Sequence, residues 1–426
     1  MIPAQVLAVL AGLLAVAAVA AAVRTRRAAD VTMPAFWMPV AVAGWPAVVQ
    51  VLQTVVGTTP GGVDGAQIAT VVPMLVVGAV QIVVAVRRRA SHTVGVAAVA
   101  ATAVIALVAG ASALAGQSVV QGLLASALAL SVAVSGRAAL SAVLSGIGAT
   151  VCALVVLIAA GAVLFPSAAV RTDCQQNAAK CDMLGGFVSI GGDSGSNAVG
   201  VTIAVLAGVA VFAAGARAAP FLVPALVLAP VASGARLATA CAAVSALAGW
   251  AALHPRLRRP ALATALVGGV AISLTTALVP LPPDALTQRA TLWARARDLI
   301  VESPLVGHGL SSWVRAAATS PPPTASYSPH NVWLEPAVAM GIGGVVVLVA
   351  VIGVGWALCR PEARTAVTLL LIGILVAGAF EATAMPVRIG PVPAGFPLLL
   401  LMLTAGQRDL SAVREIALPS RARPCR

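Results

Sequence analysis

Residues 336–358 read PAVAMGIGGVVVLVAVIGVGWAL, an apolar run without a single charged side chain. A run of about 18 or more such residues is long enough to cross the hydrocarbon core of a bilayer as a helix. Runs of the same kind recur along the whole chain, and 60% of its 426 residues are hydrophobic. The sequence therefore predicts an all-α, polytopic membrane protein, a helical bundle with one large extracytoplasmic loop.

The apolar runs and the polar stretches between them divide the chain into six parts. Counting one pass for each run gives about 12–13 spans. The predicted parts are N-terminal transmembrane helices (1–165), an extracytoplasmic loop (166–197), central transmembrane helices (198–279), a large extracytoplasmic loop (280–335), C-terminal transmembrane helices (336–406) and a cytoplasmic tail (407–426).

The formal net charge of +13 comes almost entirely from arginine. In a soluble protein this charge would suggest nucleic acid as a partner, but in a membrane protein cytoplasmic loops collect positive charge. If Arg24–Arg27 are cytoplasmic, clusters such as Arg87–Arg89 and Arg256–Arg259 also fall inside, while loops 166–197 and 280–335 fall outside. We therefore expect a multi-pass protein of the inner membrane with membrane lipids around it and no nucleic-acid partner.

The loop 166–197 contains two cysteines, Cys174 and Cys181, among polar residues. A disulfide that closes a small loop is favoured if this face is oxidising. Two free thiols fit the same spacing. No further His or Cys is nearby in the sequence to complete a metal site, so we predict no metal here.

Several arginines fall outside the cytoplasmic loops of this predicted topology and so depart from the positive-inside rule: Arg236, Arg289, Arg295, Arg297, Arg315 and Arg388. Arg236 stands between two apolar runs, where a charge costs about 2.5–3.5 kcal/mol and usually faces a cavity, a partner or a ligand. An interfacial arginine whose side chain reaches the headgroups would fit the same position.

Residues 286–302, LTQRATLWARARDLIVE, have the spacing of a helix that carries Arg289, Trp293 and Arg297 on one face. One interpretation is a surface helix with its leucines in the membrane. The other is a phosphate clamp, because guanidinium groups present paired donors that match phosphate oxygens.

His330 and Asn331 end a turn-rich connection immediately before the apolar run that follows. Histidine is the side chain best suited to accept a proton near neutral pH, so His330 is a candidate general base. An ordinary interfacial histidine would also fit this place. With no set of metal ligands in view, we expect a metal-independent reaction.

Four motifs follow one another in the chain: GGDSGSNAVG (191–200), Ser233 with Arg236, RATLW with PLVGHG (289–309), and HNVWL with GIGG (330–344). Their order, in a polytopic chain with one large outer loop, resembles the O-antigen ligase/polymerase superfamily of bacterial envelope glycosyltransferases. The resemblance covers about residues 185–345.

The resemblance implies an inverting-type transfer of a glycan from a polyprenyl-pyrophosphate carrier to an acceptor hydroxyl, without a cofactor, at the outer face of the membrane. His330 matches the histidine that activates the acceptor, and Arg236 and Arg289 match the arginines that hold the pyrophosphate. Arg297, Trp293 and Asn331 are further substrate-binding candidates. Polymerase and ligase activities in polysaccharide biosynthesis both fit, with glycan, lipid or protein as acceptor.

Two other classes of protein are compatible with the composition. A transporter or flippase of a lipid-linked or anionic envelope precursor would be expected to have ionisable residues at mid-membrane and internal repeats. The sequence shows neither feature clearly. A structural scaffold of an envelope complex is the third possibility, but a scaffold role would not explain why arginines and histidines cluster in the large loop.

Overall fold

A computed structural model of the chain describes residues 4–23, 34–49, 62–87, 96–114, 126–127, 129–130, 140–172, 184–189, 192–283, 285–286, 289–310, 312–318, 328–385 and 394–407. Within these ranges the chain is almost entirely helical, which confirms the predicted all-α class. Six of the described helices are long and apolar enough to cross a membrane, and six shorter helices are also apolar. The protein is therefore a multi-pass membrane protein.

The elements follow one another as α1 (Ala4–Val23), α2 (Pro34–Val49), α3 (Gly62–Arg87), α4 (Val96–Leu114), α5 (Leu140–Leu164), α6 (Pro166–Ala169), β1 (Val170–Arg171), β2 (Phe187–Val188), α7 (Gly192–Ala214), α8 (Ala219–Ala232), α9 (Arg236–Ala252), α10 (Pro255–Leu278), α11 (Arg289–Glu302), α12 (Ser312–Ala318), α13 (Leu334–Leu358), α14 (Pro361–Gly378) and α15 (Gly395–Gly406). The six long apolar helices are α1, α5, α7, α10, α13 and α14.

Small residues let three central helices, α7, α9 and α14, approach one another closely. A Cβ added to Gly249 of α9 would lie 2.3 Å from the carbonyl oxygen of Gly208 in α7. A Cβ added to Gly373 of α14 would lie 2.1 Å from the carbonyl oxygen of Val205. In a membrane, where burial of apolar surface drives helix association only weakly, such close backbone packing is the main source of attraction.

Contacts between helices show that α9 and α14 run in opposite directions. The Sγ of Cys241, near the start of α9, lies 3.5 Å from the carbonyl oxygen of Val376, near the end of α14. Further along α9, Ser245 lies beside Gly208 of α7, and so does Leu369, which is further back in α14. The end of α10 is joined to α11, because Arg297 donates a hydrogen bond to the carbonyl oxygen of Ala277. One end of the bundle, here called the loop end, therefore gathers the start of α9, the end of α10, α11, the start of α13 and the end of α14.

Several arginines in the connections between helices lie at the opposite end of the bundle. They are Arg217 after α7, Arg256, Arg258 and Arg259 at the start of α10, and Arg360 and Arg364 between α13 and α14. Two of them bind helix ends there: Arg360 donates to the carbonyl oxygen of Ala405, and Arg364 to that of Cys359. A cation at a helix C-terminus is favoured by the orientation of the peptide dipoles.

The predicted loop 166–197 is partly structured. It opens with α6, and β1 and β2 form an antiparallel pair in which Val170 faces Val188. Helix α7 begins at Gly192, so residues 192–197, which we expected to belong to the loop before the span, are helical. Tertiary packing of the apolar part of a helix can stabilise first turns of low intrinsic propensity. Cys174 and Cys181 lie outside the described residues, so the disulfide stays a prediction.

The large loop 280–335 also contains helices. The helix predicted over 286–302 is confirmed as α11, and its buried face carries Leu292, Trp293 and Leu299. These side chains pack against protein, including Trp313 of α12 and Val338 of α13. The interpretation in which the leucines of this helix face the lipid is therefore wrong.

Helix α13 is broken at Gly341, whose φ of 70° and ψ of 174° are not helical. The break frees backbone groups that a continuous helix would bond internally, and residues 304–309, here called the PLVGHG turn, bind them. His308 N–H donates to the carbonyl oxygen of Val338 at 2.8 Å, and Gly309 N–H to that of Ala339 at 3.0 Å. In the other direction, Ile342 N–H donates to the carbonyl oxygen of Pro304 at 2.7 Å. The PLVGHG and GIGG motifs therefore form one structural unit.

We expect Gly341→Ala to lower the thermal stability of the purified protein clearly. A Cβ at this position would lie 2.3 Å from the backbone of Leu305, and a φ of 70° with a ψ of 174°, a region almost confined to glycine, costs another residue about 1–3 kcal/mol. The measurement is the unfolding midpoint in detergent, with Gly353→Ala as the control, because a Cβ at Gly353 of the same helix meets no atom within 4 Å. Equal midpoints for the two variants would show that the break at Gly341 is not required.

Candidate active site

Three ionisable side chains from different parts of the chain meet at the loop end. Glu381 accepts a hydrogen bond on Oε1 from Nη2 of Arg289 at 2.5 Å and one on Oε2 from Nδ1 of His330 at 2.6 Å. Arg289 is the first residue of α11, His330 precedes α13 and Glu381 follows α14. The site, here called the Glu381 triad, is therefore assembled from the ends of three helices.

The triad is largely shielded from solvent. The exposed fractions of the side chains are 7% for Glu381, 16% for Arg289 and 14% for His330. Removing one partner from such a buried ionic group costs about 3–5 kcal/mol, because the remaining charge is left uncompensated. A site of this kind holds each side chain in one geometry.

Two opposing effects set the pKa of Glu381. Burial raises the pKa, but the hydrogen bond and charge of His330 and the guanidinium of Arg289 together outweigh burial and hold the pKa below its ordinary value. Glu381 is therefore ionised near neutral pH. An ionised carboxylate can only accept hydrogen bonds, so Nδ1 of His330 is the donor in this pair.

The backbone of His330 is also held in place. Its φ of 52° is unusual for a residue with a side chain, and such a conformation persists only where the surroundings enforce it. The N–H of His330 donates to the hydroxyl of Ser328 at 2.9 Å, and this hydroxyl donates to Oε2 of Glu335 at 2.8 Å. Ser328 and Glu335 are both buried. The position of the imidazole is thus fixed by contacts of the His330 ring and of the His330 main chain.

Asn331, predicted to bind substrate, is fully buried and its amide is used within the protein. Oδ1 accepts from the N–H groups of Trp333 and Leu334, where α13 begins. Nδ2 donates to Thr276 of α10 at 3.1 Å and to the carbonyl oxygen of Ala379 at 3.3 Å. Asn331 thus fixes the segment that carries His330, and its contact with a substrate stays a prediction.

Trp293 and Arg297, also predicted to bind substrate, have structural contacts as well. Trp293 is completely buried in the cluster between α11 and α13, and its contact with a substrate stays a prediction. Arg297 donates to the carbonyl oxygen of Ala277 at the end of α10. Burial lowers the pKa of Arg297, against the opposing effect of Asp298. A contact between Arg297 and a phosphate stays a prediction.

Arg236 is the first residue of α9 and is exposed at the loop end. It precedes Cys241 by five residues, and Glu381 follows Val376 by five. Since Cys241 and Val376 are in contact and the two helices are antiparallel, Arg236 and Glu381 lie at similar heights along the bundle. Of the predicted residues, Arg289 and His330 are joined directly through Glu381, and Arg236 shares their end of the bundle.

Three residues that build this site were not predicted from the sequence: Glu381, Glu335 and Ser328. For Glu381 a signal was present, because it is an acidic residue in the apolar run 365–385, where a charge is costly and usually has a function. Within the described ranges, no group of three or more His, Cys, Asp or Glu side chains is placed to hold a metal ion.

Comparison with known proteins adds no relative: no protein-family model and no curated protein matches this chain. The functional inference therefore depends on the geometry of the Glu381 triad.

Proposed function

We propose that this protein is a membrane glycosyltransferase of cell-envelope polysaccharide biosynthesis. It transfers a glycan from a polyprenyl-pyrophosphate carrier to an acceptor hydroxyl, as a polymerase or a ligase, and resembles the O-antigen ligase/polymerase superfamily. The observation that supports this most directly is the Glu381 triad, in which one buried carboxylate joins a histidine and an arginine at one end of a membrane bundle.

His330 is the general base of the proposed reaction. Its Nε2 accepts the proton of the acceptor hydroxyl as the oxygen attacks the anomeric carbon of the donor sugar. Glu381 keeps Nδ1 protonated, orients the ring and stabilises the imidazolium that forms. His330 is held by a buried carboxylate and by the hydrogen bond of its main chain. It therefore loses little conformational entropy when the acceptor binds.

Arg289 supplies positive charge for the leaving group. The bond between the sugar carbon and the pyrophosphate oxygen breaks, and the released polyprenyl pyrophosphate carries the additional negative charge. Nε of Arg289 is buried without a hydrogen-bond partner among the described residues, so the guanidinium retains a donor that an anionic ligand would satisfy. Arg236, at the same end of the bundle, is the second candidate for the pyrophosphate.

The active face of this proposal is extracytoplasmic, in the inner membrane of a bacterial cell. The support is the distribution of arginines: the end with Arg217, Arg256 and Arg360 follows the positive-inside rule, and the triad lies at the opposite end. A lipid-linked donor would then present its pyrophosphate at the loop end while its isoprenoid chain remains among membrane lipids.

The break in α13 is the one observation that favours a second candidate function, a transporter or flippase of a lipid-linked or anionic precursor. Broken helices often form transport sites, because their freed backbone groups bind substrates and ions. Here Val338, Ala339 and Ile342 bond to the PLVGHG turn instead. The ionised residues of the triad also lie at the ends of helices and not along their middle.

The experiment that tests the proposal compares the surface polysaccharide of cells with and without this protein, by gel electrophoresis and mass spectrometry. We expect short unpolymerised units if the protein is a polymerase, and full-length glycan retained on its carrier if it is a ligase. Unchanged polysaccharide would contradict both. In proteoliposomes, movement of a lipid-linked donor without cleavage of its sugar–phosphate bond would establish the transporter instead.

A further inference from the structure

The tip of the PLVGHG turn carries apolar side chains that no other part of the described protein covers. The exposed fractions are 74% for Leu305 and 76% for Val306. The neighbouring residues Val301 on α11 and Ile342 and Val346 on α13 are exposed as well. Ile342 lies beside the turn because its N–H donates to the carbonyl oxygen of Pro304, and the five exposed residues are here called the turn patch.

The position of the turn along α13 places this patch at membrane depth. The turn is bonded to Val338, Ala339 and Ile342, which lie about 6–12 Å along the helix axis from Leu334, at roughly 1.5 Å per residue. Helix α13 spans Leu334–Leu358, and its 25 residues exceed the roughly 20 that cross the hydrocarbon core by only a few. The turn therefore lies beside the outermost part of the span.

Backbone groups of Pro304, Gly307, His308 and Gly309 are bonded within the protein, which lowers the cost of placing this turn in lipid. Polar backbone groups cannot remain unpaired where there is no water to bind them. Besides the bonds to α13, Gly307 N–H donates to the carbonyl oxygen of Ser303, whose hydroxyl in turn donates to the carbonyl oxygen of Gly307 at 2.9 Å. The carbonyl oxygen of Gly309 accepts from the hydroxyl of Ser312 at 2.7 Å. Pro304 has no N–H to satisfy.

We propose that the tip of the PLVGHG turn is inserted into the bilayer, where Leu305 and Val306 contact the acyl chains of lipids. The turn patch adjoins the exposed valines of α13, which belong to a membrane span. We therefore expect lipid to cover the turn patch as it covers those valines. Asp298 and Glu302 of α11 are exposed on the approach to the turn, which places the charged part of α11 at the headgroups. The inserted tip anchors α11, and with it Arg289, at the membrane.

Spin labels at two positions test this proposal. Val306→Cys and Asp298→Cys are introduced separately into a variant with the six native cysteines replaced, labelled with a nitroxide, and reconstituted into phosphatidylethanolamine–phosphatidylglycerol vesicles. We expect the ratio of collision rates with oxygen and with a water-soluble nickel chelate to be several-fold higher at position 306 than at 298. An equal or lower ratio at 306 overturns the proposal, since it places the tip in water.

A photoreactive amino acid incorporated at position 306 of the otherwise native chain provides a measurement that needs no cysteine replacement. Irradiation in the same vesicles should give adducts with phospholipid, identified by mass spectrometry. Adducts only with a second copy of the chain would overturn the proposal and show that protein covers the turn patch. Irradiation of the same residue at position 298 is the control, and there we expect no adducts with acyl chains.

Discussion

Replacing His330 with glutamine is expected to abolish glycan transfer while leaving the amount of protein in the membrane unchanged. Glutamine retains a polar side chain of similar reach but cannot accept a proton near neutral pH. Loss of a positioned general base lowers a rate by about 10²–10⁴-fold. The measurement is product formation from a lipid-linked donor by purified protein, together with the surface polysaccharide of cells that carry only the variant.

His254→Gln is the matched control for this variant. His254 lies at the opposite end of the bundle, immediately before α10, where its ring contacts that of Trp250. We expect this variant to keep full activity. If His330→Gln also made normal product, His330 would not be the base, whatever its contacts in the structure. His330→Ala should match His330→Gln in activity, because both remove the only proton acceptor of that side chain.

Glu381→Gln is expected to lower transfer nearly as far as His330→Gln does. Glutamine has nearly the same shape as glutamate but carries no charge, so it cannot stabilise the imidazolium or neutralise Arg289. A base that loses its orienting carboxylate loses on the order of 10²–10⁴-fold in rate. Glu362→Gln is the control, because Glu362 is an exposed carboxylate at the other end of the same helix, α14, and should be dispensable.

The double variant His330→Gln/Glu381→Gln distinguishes a shared role from two separate ones. If Glu381 acts through His330, the double variant should be no less active than His330→Gln alone, since residues in direct contact are not additive. Multiplicative losses would mean that Glu381 serves the reaction independently, for example through Arg289 alone.

The lowered pKa of Glu381 also predicts how stability depends on pH. A carboxyl group whose pKa is lower in the folded than in the unfolded state stabilises the fold above its ordinary pKa of 4.5, and the stabilisation is lost as the pH falls through the lowered value. The unfolding midpoints of the wild type and Glu381→Gln should therefore differ at neutral pH and converge in strong acid. A difference that stays constant with pH would contradict this origin.

The composition of the chain was sufficient to predict its helices, because an apolar run of span length has few alternatives in a membrane. Arg289 and His330 could be singled out from the sequence because each departs from the pattern around it, and the structure brings both to Glu381. Glu381 could be noticed as an acidic residue in an apolar run, but its pairing could not be predicted, since it is 92 residues from Arg289 and the pairing depends on how helix ends meet.

Asn331 and Trp293 were predicted to bind substrate, but their burial could not be predicted from the sequence. Both are residue types that often bind ligands, and both stand next to site residues in the sequence. Only the packing reveals that the amide of Asn331 is used by α10, α13 and the segment after α14, and that the ring of Trp293 is enclosed. The break at Gly341 was equally hidden, because it depends on a turn more than thirty residues earlier in the chain.

The bonds between the PLVGHG turn and α13 have a mechanical consequence for the triad. Arg289 is carried by the helix that leads into this turn, and His330 by the segment that leads into α13, so the arginine and the histidine belong to one rigid unit. The end of α14, which leads to Glu381, is bonded to the same unit, because Asn331 donates to the carbonyl oxygen of Ala379 and Val332 N–H to that of Gly378. A substitution that loosened the PLVGHG turn would therefore disturb all three side chains of the triad, although the turn touches none of them.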